Sequence, residues 1–279
     1  MARGAVVRTP LACPPPRRAR DVLPLPDVPV AFYPVAAIAV LLTGISKGGF
    51  AGGAAGLGVP LMALFVDPSI AAGIMLPILC AMDLFTVHAY RGKWSTRHVV
   101  ALVPGSLLGI GLGGLAFGVL SADAVRLIVG VISVVFAINQ GFGITQRLAS
   151  RIAAERAPPG KAAGVFWGTA SGFTSTLAHA GGPPFSIWML PQGLDRTTLV
   201  ATSAVFFLVV NYVKIIPYAM LDQLNTGNLA VSLVFAPLAP AGIWLGVWLH
   251  RRISDRTFYQ VSYVLLFVTG VKLVWDAVT

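Results

Sequence analysis

From Val30 almost to the C-terminus, apolar runs recur with little interruption, each about long enough to cross the roughly 30 Å hydrocarbon layer of a bilayer. Short polar loops separate them. Few folds are open to such a chain, because lipid offers backbone N–H and C=O groups no partners and only helices or closed barrels satisfy their own. A barrel needs segments of about ten residues alternating with period two, and none of these runs alternates. The sequence therefore predicts an all-α polytopic membrane protein of about 8–10 membrane segments. Composition agrees, with 56% hydrophobic and 11% charged residues, more apolar surface than a soluble domain hides.

Lys and Arg number 20 against 10 Asp and Glu. In a soluble chain that excess would suggest nucleic acid; in a membrane protein it marks cytoplasmic loops, and no nucleic-acid partner is expected. Cys13 and Cys80 are too few and too far apart for a disulfide framework or a CxxC site. The histidines show no HxxxH spacing, no acidic cluster has ligand spacing, and no Walker sequence occurs, so neither a metal nor a cofactor is expected. Residues 1–29 carry five arginines and a PPP run without the apolar core of a signal peptide, and read as a disordered tail or a misassigned start.

The remaining chain reads as two similar halves, 30–146 and 162–279, joined by a basic linker at 147–161. Each opens with a Gly-broken helix pair (30–46 with 53–66; 162–180 with 183–190) and continues with three helices (69–90, 99–119 and 124–145; 197–221, 229–250 and 258–276). Pro104, Gly109, Ile110, Leu112, Gly113 and Ser121 match Pro237, Gly242, Ile243, Leu245, Gly246 and Ser254 at constant spacing. Gly49, Phe50, Ala55, Gly58 and Pro60 likewise match Gly172, Phe173, Ala178, Gly181 and Pro183. Basic loops at 91–98, 147–161 and 250–256 are expected in the cytoplasm, while their counterparts in the other half lack positive charge. Loops of opposite character at corresponding places predict an inverted-topology repeat.

The stretch GISKGGFAGGAAGLGVP, 44–60, sets Lys47 in an otherwise apolar run, and HAGGPP, 179–184, holds the matching place in the second half. Backbone that leaves the helix at membrane depth needs protein or water around it, and a half-helix starting there aims free N–H groups and a positive dipole end at what lies before it. Gly48, Gly49, Gly53, Gly181 and Gly182 are candidate backbone donors, flanked by Phe50 and Pro183. Lys47 is either a cationic contact for an anion or a snorkelling side chain. His179 could donate to an anion or carry a coupling proton, or be a satisfied buried histidine. Asp83 and Asn211 correspond between the halves, as do Tyr90 and Tyr218, and Lys214 follows Asn211 by one turn as a further cationic candidate. Asp83 is expected to be paired or protonated, because a bare carboxylate would repel an anion, and with His179 it is a candidate coupling residue. Ser175, four residues before His179, admits an intramembrane Ser/His hydrolase as an alternative, though no oxyanion-hole motif accompanies it.

The pair GISKGGFAGGAAGLGVPL and GFTSTLAHAGGPPFSIWML, opening each half of a duplicated membrane chain, resembles the sulfite exporter TauE/SafE family of transporters, from about residue 35 to 275. The resemblance implies movement of small anions, mainly sulfur oxyanions and organosulfonates, across the bacterial inner membrane. The expected partners are a small anionic substrate and the lipid bilayer, with room for a homo-oligomer. A membrane assembly protein without a transport pathway is the remaining alternative.

Overall fold

The computed structural model describes residues 28–49, 55–147, 150, 160–249, 252 and 255–279. Among them, every regular element is helical. In chain order these are α1 (Phe32–Gly49), a 3-10 turn (Ala55–Leu57), α2 (Gly58–Met62), α3 (Pro68–Ala89), α4 (Thr96–Val119) and α5 (Ala122–Gly141). The second half has α6 (Lys161–Ala178), α7 (Gly182–Met189), a 3-10 turn (Leu190–Gln192), α8 (Arg196–Met220), α9 (Thr226–Phe235), α10 (Leu238–Leu249) and α11 (Asp255–Val278). The tail expected at 1–29 and the linker at 147–161 lie almost wholly outside the described residues.

Helix starts follow local chemistry. Ser121 accepts the Ala124 N–H at 3.2 Å, Asp195 accepts that of Thr198 at 3.0 Å and Asn225 accepts that of Asn228 at 3.0 Å, each satisfying a donor that the first turn leaves free. Pro68 opens α3, where its missing N–H costs nothing. Pro60 lies in the first turn of the short α2, where the same tolerance holds.

Among the described residues, six helices are long and apolar enough to cross a membrane, and α9 with α10, bent by 41°, would make a seventh. The expected 8–10 segments counted the pieces of the broken pairs as well. Of these, α2 has only five residues, and α6 carries Thr169, Ser171, Thr174, Ser175 and Thr176. The single helix expected at 229–250 is corrected to the α9–α10 pair. Pro237 and Pro240 fall within one turn of each other and remove two ladder donors, whereas α4 holds Pro104 alone and stays continuous.

Each broken pair is a hairpin. α1 runs to Gly49 beside Tyr90 at the far end of α3, whose hydroxyl donates to the Gly48 carbonyl at 2.9 Å, and the chain returns to Asp67 where α3 begins. α6 and α7 fold back likewise, with the Trp188 indole donating to the Gly160 carbonyl at 3.3 Å.

The halves pack by exchange: α1 lies along α10 and α4 along α6, while α3 meets its counterpart α8 and α5 meets α11. Glycine makes the first two contacts close. A Cβ on Gly105 would fall 1.9 Å from the Val165 carbonyl oxygen, and one on Gly48 2.4 Å from that of Ile243; such small-residue seams let membrane helices approach where lipid provides no hydrophobic drive. Gly113 and Gly114 press on Thr176 and Pro217, whereas Gly111 faces open space.

Along α3 and α8 the contacts run in opposite order: Gly73 lies against Gln223, Asp83 against Asn211, and Ser95, just past α3, against Thr202. α3 and α8 are therefore antiparallel. α5 and α11 are too, with Gly130 against Val274 and Phe136 against Tyr263. One end of the bundle gathers Asp67, Asp123 and Arg126, whose guanidinium bonds both carboxylates, with Asp222 and Asn225 nearby. The connection at 90–95, the start of α6, the start of α8 and the end of α10 lie at the other, which carries Arg91, Lys93, Arg97, Lys161 and Arg196.

Candidate functional site

Where the hairpins meet α3 and α8 a cavity of about 30 Å³ opens between Lys47 of α1, Asp83 and Thr86 of α3, Ser175 and His179 of the second hairpin, and Asn211 of α8. That is two to three times the minimum of about 10–15 Å³ that one water needs, room for a small ion and little else. Gly182 and Pro183 at the start of α7 line it as well, with Leu79, Phe136 and Phe207 as apolar walls.

The Lys47 ammonium pairs with Asp83 Oδ1, and Asp83 Oδ2 accepts the Asn211 amide at 2.6 Å. The antiparallel crossing of α3 and α8 thus brings together Asp83 and Asn211, the pair expected from the sequence to correspond between the halves. The lysine side chain is 9% exposed against 1% for its partner, and its ammonium lies 5.8 Å from the Phe207 ring centroid, where the ring face attracts a cation. Asp83 is the only polar partner of that ammonium among the described residues, which leaves two of its protons for a guest.

Lys214 serves differently. Fully buried, its ammonium donates to the Ser175 carbonyl at 3.0 Å, the Ser175 hydroxyl at 3.1 Å and His179 Nδ1 at 2.6 Å. Three protons meet three acceptors, so Lys214 stands behind the cavity wall with its donors engaged. His179 Nε2 lies 3.0 Å from the Ala72 carbonyl oxygen. A carbonyl only accepts, which assigns the ring proton to Nε2 and leaves Nδ1 as the acceptor for Lys214.

His179 ends α6 in the left-handed conformation, φ 51°, a place that usually takes glycine and costs another residue about 1–2 kcal/mol. The strain holds the imidazole at the hairpin tip, stacked 6.0 Å from the Tyr218 ring. Tyr218 donates to the Thr176 carbonyl at 2.6 Å, as its counterpart Tyr90 does to that of Gly48. In each half a tyrosine thus ties the broken helix to the long one beside it. Pro183 and Pro184 carry no N–H, so Gly181 and Gly182 are the backbone donors that this turn has to offer.

Of the residues singled out in the sequence, Lys47, Asp83, His179, Gly182, Pro183 and Asn211 line one cavity. Gly181 borders it, its carbonyl taken by the Ser171 hydroxyl at 2.7 Å, and Lys214 lies behind. Gly48 and Gly49 sit in the last turn of α1 away from the cavity: Gly48 packs on Ile243, and the Gly49 carbonyl accepts from Arg196 at 3.5 Å. Phe50 and Gly53 lie outside the described residues. Sequence reasoning passed over Thr86, Ser203 and Phe207. The first two were visible as polar residues within apolar helices; Phe207 in an apolar run gave no signal. The Ser175 hydroxyl and His179 Nδ1 both face Lys214, so the pair is not arranged as nucleophile and base.

A search of curated proteins and one of solved structures returned no match to the chain. Residues 36–273 match the family described as sulfite exporter TauE/SafE. That span takes in both hairpins, every long helix and the cavity between them, and the chain belongs to the sulfite exporter TauE/SafE family of membrane transporters.

Proposed function

We propose that this chain is a secondary transporter that exports small anions, sulfite or organosulfonates, across the bacterial inner membrane, with Lys47 as the principal anion contact. The observation that supports the reading is that residues from both hairpins, Lys47 and Gly56 of the first and His179, Gly182 and Pro183 of the second, line one cavity, where Lys47 has Asp83 as its one polar partner among the described residues. Gly182 and the positive end of α7 add to the attraction, and Lys214 contributes its charge from behind the wall.

In this reading residues 30–146 and 162–279 form an inverted-topology repeat. Its support is the antiparallel pairing of α3 with α8 and of α5 with α11, together with the exchange of α1 and α4 between the halves. The end carrying Arg91, Lys93 and Lys161 faces the cytoplasm. Outward movement then runs with the membrane potential, which contributes about 2.3 kcal/mol per exported negative charge per 100 mV. A hydrolase would need Ser175 beside a free base, and the lone pair of His179 is taken by Lys214.

The test is sulfite flux in proteoliposomes under an imposed potential, wild type against K47M. Flux in the wild type that falls at least about tenfold in folded K47M supports the anion contact. Equal flux would make Lys47 structural, and no flux of sulfite or sulfonates in either would sink the transport reading.

A further inference from the structure

The Lys47 ammonium that faces the cavity already holds a carboxylate. An oxyanion arriving there competes with Asp83 for the same protons, and the cavity is too small to hold the two anions apart. In a site this buried, two like charges side by side do not both persist; one of them takes a proton. The charged and titratable groups around the Asp83 carboxyl are Lys47 from α1, Lys214 and Tyr212 from α8, His179 from the α6–α7 turn, and Cys80 one turn earlier on α3.

Geometry selects among them. His179 has its Nε2 proton on the Ala72 carbonyl and its Nδ1 lone pair on Lys214, so neither nitrogen is open to a further proton. Lys214 has all three protons engaged. Asp83 alone both loses its counter-ion when the anion loads and lines the cavity with an oxygen left open. Asn211 keeps Oδ2 through the exchange, so the proton falls to Oδ1, the oxygen that Lys47 vacates.

We propose that Asp83 is the proton carrier of this transporter: a solvent proton binds its Oδ1 as the anion takes Lys47, and both leave together when the Lys47–Asp83 pair re-forms. The inference rests on the transport reading above and adds a proton-to-anion coupling. A dianion carried this way moves one net negative charge, and a monoanion moves none.

The experiment follows sulfite uptake and lumenal pH together in proteoliposomes whose potential is clamped with potassium and valinomycin, at a pH where free sulfite is the dianion. The wild type should bring in about one proton per sulfite, and D83N fewer than about 0.1. Sulfite flux without protons in the wild type overturns the inference, and so does a D83N ratio still near one, since hydrogensulfite would then be bringing the proton itself. If D83N does not fold, wild-type uptake of methanesulfonate, an anion with no proton to bring, decides by the same ratio. Absence of any flux in the wild type removes the transport reading and this inference with it, an outcome distinct from flux without protons.

Discussion

Replacing Lys47 alone should destabilise the protein more than replacing Lys47 and Asp83 together. In K47M the Asp83 carboxylate, 1% exposed, keeps only the Asn211 amide, and stranding one member of a buried ion pair costs about 3–5 kcal/mol. In K47M/D83N the new carboxamide oxygen still accepts from Asn211 and no charge is left alone, so the loss should be about 1–2 kcal/mol. D83N alone strands the Lys47 ammonium at a comparable cost, so a double-mutant cycle should return a coupling of at least about 2 kcal/mol. At roughly 2–4 °C per kcal/mol for a chain of this size, K47M should melt on the order of 10 °C below wild type, with the double variant recovering more than half of that. Thermal unfolding in detergent, followed by intrinsic tryptophan fluorescence, reads the four proteins side by side. A double variant as unstable as K47M, or K47M as stable as wild type, would refute a buried, coupled pair.

Gly105→Ala should separate α4 from α6, because its Cβ would meet the Val165 carbonyl oxygen at 1.9 Å, and should cost about 1–3 kcal/mol in the same melt; Gly111→Ala, with nothing within 4 Å, is the neutral control. The Asp195 carboxyl, held below the ordinary carboxylate range by the Thr198 hydroxyl and then its N–H, adds stability at neutral pH that fades as the pH falls below about 4 and through its depressed value. D195N keeps the helix cap and should flatten that acid limb of a stability-against-pH curve. Reporter fusions at Trp94 and Asn225 should score opposite sides of the membrane, cytoplasmic and external, since the 90–95 and 221–225 connections lie at opposite ends of the bundle; a shared side would break the proposed orientation.

The spans were legible because length and apolarity dominate them. Runs read at 69–90 and 197–221 differ by one residue from α3 and α8 at each end. The break in the run at 229–250 was also within reach, since Pro237 and Pro240 stand in plain view; reading the run whole gave hydropathy too much weight over the missing N–H groups. The equivalence of Asp83 and Asn211 was visible, but their contact was not, because it depends on how the halves cross. The same limit governed Lys214, whose acceptors come from a helix that ends nearly forty residues earlier. Nor does the sequence around Gly48 show that its carbonyl accepts from Tyr90 at the end of α3 and that its missing Cβ admits α10.

The exchange of α1 and α4 between the halves bears on how the chain is made. When α5 leaves the ribosome, the glycine-lined flanks of α1 and α4 face lipid, because α10 and α6 do not yet exist. The first half must wait in the bilayer as an open clamp, and its grip closes on α4 when α6 arrives and on α1 only when α10 does, close to the end of translation. A fragment stopping before α6 would therefore remain unassembled in the membrane, a substrate for quality-control proteases. Two half-chains made separately but together would supply each other's missing helices and could assemble without the linker.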